Sequence, residues 1–438
     1  MFILKCVVGL LASLGFLIVA AVVVFAVWAD GAQPWATTEP EIPDLSVLSL
    51  DLSAGLVEAR SDNAFAQLSH GQVLTLREAV EALEAAGEDP RVQGVIARLG
   101  IGELGIAQVQ ELRQAISEFR ETGKVTIAFA ESFGEGGNGT LHYYLASAFG
   151  EVWLQPSGGF DVTGLALETP FLREPLDKLG IVPRLGQREE YKGAMNTFTD
   201  REMPAPQREN LQQLLDSWLG QVARDIAASR DGDEGAVRAA IDSAPHSAAA
   251  ALDRGLVDRL GYWDEVSAAV MAEAGEGAEF LPLATYVQAH DPLPTPGPTV
   301  ALIYGLGPVV LASSDDDGVF GDGVMASDTV SEAIATAVED PEIEAIVLRI
   351  DSPGGSYVAS DVIWREVQLA REAGKPLIVS MSNVAASGGY FVAAPAHKIV
   401  ALPGTVTGSI GVVSGKLVFT GLWDKLGINW DGVEAGAA

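Results

Sequence analysis

The chain has 438 residues, with 27 Lys+Arg against 59 Asp+Glu and a formal net charge of −32. That sign excludes a non-specific nucleic-acid binder, which needs cationic surface to displace phosphate counterions, and the single Cys6 excludes a disulfide framework or a cysteine-rich zinc site. His70, His142, His246, His290 and His397 form no His-x-x-x-His pair, so no metal is expected, and a hydrophobic content of 48% is too high for a disordered acidic polymer.

In chain order, the first element is apolar. No charge occurs from Cys6 to Ala29; at about 1.5 Å per residue, a helix over these positions crosses the roughly 30 Å hydrocarbon layer. The stretch is longer than a signal-peptide core and ends in a poor small-residue cleavage site, so residues 1–30 are expected to be an uncleaved anchor. Lys5 precedes it and Asp30, Glu39, Glu41 and Asp44 follow. The positive-inside rule therefore puts the N-terminus in the cytoplasm and the body on the outer side.

The body contains an internal repeat. Asp89-Pro90-Arg91-Val92-Gln93-Gly94-Val95-Ile96-Ala97-Arg98-Leu99 parallels Asp340-Pro341-Glu342-Ile343-Glu344-Ala345-Ile346-Val347-Leu348-Arg349-Ile350, and Gly123-Lys124 parallels Gly374-Lys375, both displaced by 251 positions. Farther on, Asp177-Lys178-Leu179-Gly180 parallels Asp424-Lys425-Leu426-Gly427 at a displacement of 247, so the first copy holds four extra residues near its Gly-rich stretch 134–139. Each copy predicts a capped helix (Thr75-x-x-Glu78; Thr329-x-x-Glu332), a buried strand (94–99; 345–350), a helix (about 106–121; 358–373) and a second strand (125–130; 376–381). Alternating strands and helices predict an α/β fold with parallel sheets. The first copy runs over 45–290, a Pro-rich linker over 291–298, and the second copy over 299–438. Between 205 and 275, Leu211, Leu214, Leu215, Trp218, Leu219 and Val222 recur at helical spacing and are expected in a core.

Two strings in the second copy can carry chemistry: Asp351-Ser352-Pro353-Gly354-Gly355-Ser356 and Ala385-Ala386-Ser387-Gly388-Gly389-Tyr390, each after a strand. Open α/β sheets place ligands at such turns. A serine opening a helix can present its hydroxyl as a nucleophile, while the Gly388 amide and one from Gly354 or Gly355 face a developing oxyanion. Neither string fits a phosphate-loop pattern, although an ordinary Gly-rich turn remains open. The base is His397 or a lysine made neutral by burial. Of eight lysines, Lys192 in Tyr191-Lys192-Gly193-Ala194-Met195 stands among small and apolar neighbours; a solvated lysine paired with Glu189 or Glu190 is the alternative.

These motifs, with Thr407-Gly408-Ser409-Ile410-Gly411-Val412 and the anchor, resemble the long, tandem-repeat form of bacterial signal peptide peptidase A, from the anchor to the end of the chain. The resemblance implies tandem modules of the Clp-protease/crotonase-like fold and a serine protease with a Ser/Lys dyad. It implies Ser387 as nucleophile, Lys192 as base, Ser409 as the residue orienting the lysine, and Gly354, Gly355 and Gly388 around the oxyanion hole. It further implies no cofactor, a homotetramer in the bacterial inner membrane, and remnant signal peptides as substrates. Two other functions are weighed: a catalytically impaired membrane scaffold, and a crotonase-like acyl-CoA enzyme, which the acidic charge disfavours.

The repeat divides the labour. Ser387 maps onto Thr140 and Ser409 onto Val162, while Lys192 maps one position past Ala438. Each copy thus supplies part of one site, which must lie where copies meet, within or between chains. The first copy runs on for about 90 residues beyond Lys192 and the second does not, so a C-terminally truncated second copy is expected.

Overall fold

The computed structural model describes residues 40–53, 55–60, 73–100, 102, 104–290, 297–312 and 323–436. The expected anchor and most of the Pro-rich linker lie outside these residues. Among the described residues no helix is long and apolar enough to cross a membrane.

The fold is mixed α/β, built on two parallel sheets. In the first, the strands run in the spatial order Arg259–Leu260, Glu151–Leu154, Val125–Ala130, Val92–Leu99, Ser46–Asp51, Glu279–Pro282. In the second, Thr299–Leu306, Ile343–Ser352, Leu377–Ala386 and Lys398–Ala401 lie side by side, and Val406–Gly408 pairs with the far end of Leu377–Ala386. The repeat is exact in two helix pairs: Ile106–Glu121 and Tyr357–Glu372 are displaced by 251 residues, the second lying one residue before the expected 358–373, and Arg173–Leu179 and Thr420–Leu426 by 247. Gly123 and Gly374 take positive φ (85° and 78°) just past their helices. The lysines that follow them bind carbonyls at the end of an earlier helix: Lys124 Nζ donates to Ala86 O and Asp89 O, Lys375 Nζ to Ala337 O and Asp340 O. Both are therefore structural cations at a helix C-terminus.

Burial differs between the sheets. The first is covered on both faces, with Val47, Ile96, Ile127, Phe129 and Trp153 packed on helix Trp263–Ala274. In the second, Ile346, Leu348 and Ile350 are fully buried while the alternate residues Val347 and Arg349 are partly exposed. Its strands alternate as a one-sided sheet does.

Two expectations fail locally. Thr75 and Glu78 form the capping box, each side chain accepting from the other's backbone amide (3.1 and 3.0 Å). Thr329 and Glu332 do not cap, because pairing of Met325–Ala326 with Val309–Val310 delivers the chain into a helix that already begins at Ser327. In helix Ala205–Ser229, Val222 reaches the core and Trp218 and Leu219 pack against it. Leu211, Leu214 and Leu215 stay only half-buried.

The copies meet through polar groups at one place and through backbone at another. Arg349, on the second sheet, pairs with Glu58 (3.0 Å) and Glu111 (2.7 Å) of the first copy. Glu58 also accepts from Gln108 Nε2 and Ser382 Oγ. Burial alone raises the Glu58 carboxyl, but the Arg349 guanidinium and these hydrogen bonds outweigh it and hold the carboxyl below its ordinary range. Elsewhere Val182–Gln187 and Val413–Val418 form an antiparallel ladder, from Val182 opposite Val418 to Gln187 opposite Val413. Removing one partner of a buried ion pair leaves the other charge uncompensated. Glu58→Ala should therefore cost about 3 kcal/mol, read as a lowered urea midpoint. The wild-type margin should also fall with acid as Glu58 protonates, because its folded-state pKa is depressed, and the variant should lose that part of the pH dependence.

Candidate active site

The ladder carries two chain segments to one point. Past Gln187 the Arg188 amide still donates to Val412 O (3.0 Å), and the first copy then turns through Lys192. Past Val413, in the opposite direction, lie Gly411 and Ser409. A Cβ on Gly411 would sit 2.0 Å from Arg188 O and 3.5 Å from Lys192 Cγ, so glycine there lets the strands close and the lysine stem lie flat. Lys192 is 6% exposed; its Nζ donates to the Ser409 hydroxyl at 2.9 Å and to the Ser409 carbonyl. It has no ion pair among the described residues, and Glu189 pairs with Arg188 instead. Burial pushes the Lys192 pKa down.

Ser387 follows the strand Leu377–Ala386, which continues beyond the expected 376–381 to the helix Gly388–Ala393. Its backbone is strained, at φ 53° and ψ −114°. Such a conformation costs about 1–3 kcal/mol for a residue with a Cβ and lifts the side chain clear of a strand-to-helix turn. The Ser387 amide donates to Gly408 O (2.9 Å), the residue before Ser409. One turn of chain therefore touches both Ser387 and Lys192. The lysine's hydrogen bonds go to Ser409, and among the described residues none joins Nζ to the Ser387 hydroxyl.

The three glycines separate in role. The Gly354 amide is occupied, donating to Ser352 Oγ at 3.1 Å. What Gly354 supplies is space: with φ 90°, a Cβ there would fall 2.5 Å from the Gly388 amide and 2.8 Å from Ser387 Cβ. The Gly355 amide lies 3.1 Å from where a Gly388 Cβ would be, and it has no acceptor among the described residues. Gly355 and Gly388 thus present free amides beside Ser387. His397 is at the wrong end of the sheet: its Nδ1 accepts from the Leu377 amide (3.1 Å), at the start of the ten-residue strand that Ser387 follows. Ten residues of strand span about 33 Å, which rules His397 out as the base.

Sequence reasoning passed over Gly411, although it stands in the Thr-Gly-Ser-Ile-Gly string, and over Glu58 and Asn383, which no local signal marks. In the first copy Thr140 takes the place of Ser387. It is fully buried, its hydroxyl donating to Gly164 O (3.0 Å) and accepting from the Gly164 amide. The described residues hold no cluster of metal-ligating side chains.

The model of peptidase family S49 matches residues 118–276 and 369–438. "Protease 4" of Salmonella typhi is 31% identical over 88% of this chain and 64% of its own length, and "Protease 4" of Haemophilus influenzae is 30% identical over 96% and 70%. The chloroplastic serine protease SPPA of Arabidopsis thaliana is 30% identical over 92% and 58%. The chain thus spans 58% to 70% of the length of these relatives. Among solved structures, an enoyl-CoA hydratase/carnithine racemase from Magnetospirillum magneticum is 18% identical over 52% of this chain and 69% of its own, with a TM-score of 0.26, too shallow an overlay to decide anything. On the family model and the relatives together, the chain belongs to peptidase family S49.

Proposed function

We propose that this chain is a membrane-anchored serine endopeptidase of the Clp-protease/crotonase-like fold that acts through a Ser/Lys dyad, with no cofactor. The observation that carries the reading is the buried, carboxylate-free Lys192 of the first copy, held on Ser409 while the adjoining Gly408 holds Ser387. Neutral Lys192 takes the Ser387 proton, and Oγ attacks the peptide carbonyl. The oxyanion is received by the Gly355 and Gly388 amides. Lys192 returns its proton to the leaving amine, and a water activated by the same lysine then hydrolyses the acyl-enzyme. Ser409 keeps Nζ aimed. Exposed Ile410 and Val412 beside Ser409 (77% and 54%) favour apolar, extended substrates such as remnant signal peptides, bound by strand pairing. The Cys6–Ala29 stretch is the proposed anchor in a bacterial inner membrane, with the body outside, and a homotetramer is the proposed assembly.

Ser387→Ala and Lys192→Ala should each abolish hydrolysis of a fluorogenic apolar peptide, at least about a thousandfold, with unchanged circular dichroism. Full activity in either purified variant would sink the dyad. Ser409→Ala should retain partial activity.

The pH profile has a definite sign. A lysine base works when neutral, so kcat/KM should rise with pH and level off below the ordinary lysine value of about 10.4, because burial lowers the Lys192 pKa. Over the same window the unfolded chain binds more protons than the folded one. Stability should therefore climb with pH through that window, and Lys192→Met should make the climb shallower in pH-dependent denaturation, leaving the share of Lys124, whose pKa burial also lowers.

A further inference from the structure

Helix Ile106–Glu121 of the first copy and helix Tyr357–Glu372 of the second are repeat mates that start differently. In the second copy Ser356 caps its own helix, its hydroxyl accepting from the Ala359 amide (3.3 Å). The matching residue of the first copy is Gly105, which has no side chain to offer, yet only half of its cap is missing: Gln108 Oε1 accepts from the Gly105 amide (3.0 Å). The other half comes from the second copy. Asn383 Oδ1 accepts from the amides of Ala107 (3.1 Å) and Gln108 (3.3 Å), the donors that an N-cap side chain ordinarily satisfies. Any side chain at residue 105 would displace it, since a Cβ there would lie 2.1 Å from Asn383 Cγ.

Asn383 stands on the strand that ends at Ser387, four residues on. Its Nδ2 approaches Asp351 Oδ2 (3.4 Å), and Asp351 Oδ1 accepts from the Val384 amide (2.9 Å). Asp351 begins the turn that leads through Ser352 to Gly354. One amide side chain thus joins the first copy to both strands that feed the serine turn and the glycine turn.

We propose that Asn383 is a positioning residue for the Ser387 site, acting as the N-cap of the first copy's helix from within the second copy, with Gly105 kept small to admit it. The role rests on Ser387 and Lys192 being the dyad. If the two copies shift relative to each other, Lys192 moves with the first and Ser387 with the second, and a misplacement of about 1 Å at such a pair can cost up to a hundredfold in rate.

The full-length chain, Asn383→Ala and the double variant Gly105→Ser/Asn383→Ala separate capping from positioning, because the double variant gives the helix its own Ser cap, as its repeat mate has. Asn383→Ala should lower kcat roughly tenfold or more with KM changed less than about threefold, and should speed amide exchange at Ala107, Gln108 and across 384–388. The double variant should regain protection at Ala107 and Gln108 while kcat stays low and 384–388 stays fast. Wild-type kcat with restored protection over 384–388 in the double variant overturns the proposal, since capping alone would then suffice. So does unchanged exchange over 384–388 in Asn383→Ala. If the wild-type chain neither hydrolyses peptides nor reacts with a fluorophosphonate, the dyad reading falls, and the exchange comparison still decides whether Asn383 holds the turn.

Discussion

The ladder between Val182–Gln187 and Val413–Val418 is the constraint on which the site depends. The proposed lysine base and serine nucleophile, on separate modules, need angstrom-level agreement, and long flexible side chains do not provide it. A backbone ladder does, because each hydrogen bond fixes register and a slip of one residue turns every side chain to the other face. Lys192 lies five residues past one end of the ladder and Ser409 four residues before the other, with the Arg188 amide on Val412 O extending the match. Gly411 and Gly415 allow it to close: a Cβ on either would fall 2.0 to 2.2 Å from a carbonyl of the partner segment, Arg188 O or Arg184 O.

Two unfavourable local states meet at the end of this ladder. A buried ammonium without a carboxylate is expensive and lowers its cost by releasing its proton. Ser387 sits in a backbone region that side chains rarely adopt. Neither state arises from local preference, and each is held by what surrounds it: Lys192 by Ser409 and the Gly411 floor, Ser387 by the Gly408 carbonyl and the space that Gly354 leaves. Thr140, the repeat mate of Ser387, shows the relaxed alternative. Its hydroxyl is spent on Gly164, the repeat mate of Gly411, and is buried.

What could be read from the sequence was whatever the repeat or a short string encodes. The displacements of 251 and 247 anticipated the paired helices, with Tyr357–Glu372 starting one residue before the expected 358–373, because each copy buries the same pattern against the same kind of sheet. The serine turn stood in a string whose chemistry is local, Lys192 was one of two readings of its string, and Ser409 came only from the family resemblance. The second capping box misled because Thr329-x-x-Glu332 is a local signal overruled by a tertiary pairing upstream. The split among Gly354, Gly355 and Gly388 was out of reach, since it depends on which amide Ser352 Oγ takes. The contacts of Glu58 with Arg349 and of Asn383 with helix Ile106–Glu121 join residues nearly 300 apart, and no periodicity marks such a pair.

Those long-range contacts follow one logic of divergence. In the first copy Arg98 pairs with Glu131 at the surface; their repeat mates are Arg349 and Ser382. The second copy has lost the carboxylate and kept the arginine, and Glu58 of the first copy enters between them, accepting from Ser382 and pairing with Arg349. Gly105 and Asn383 repeat the pattern in reverse, with the first copy lacking a cap that the second supplies. In each case one copy has given up a group that its mate retains, and the vacancy is filled across the interface. A module separated from its partner would leave Arg349 without Glu58 and Glu111 on one side and a half-capped helix on the other, each unfavourable. The proposed catalytic division, a lysine from one copy and a serine from the other, would be one more instance of this exchange between the copies.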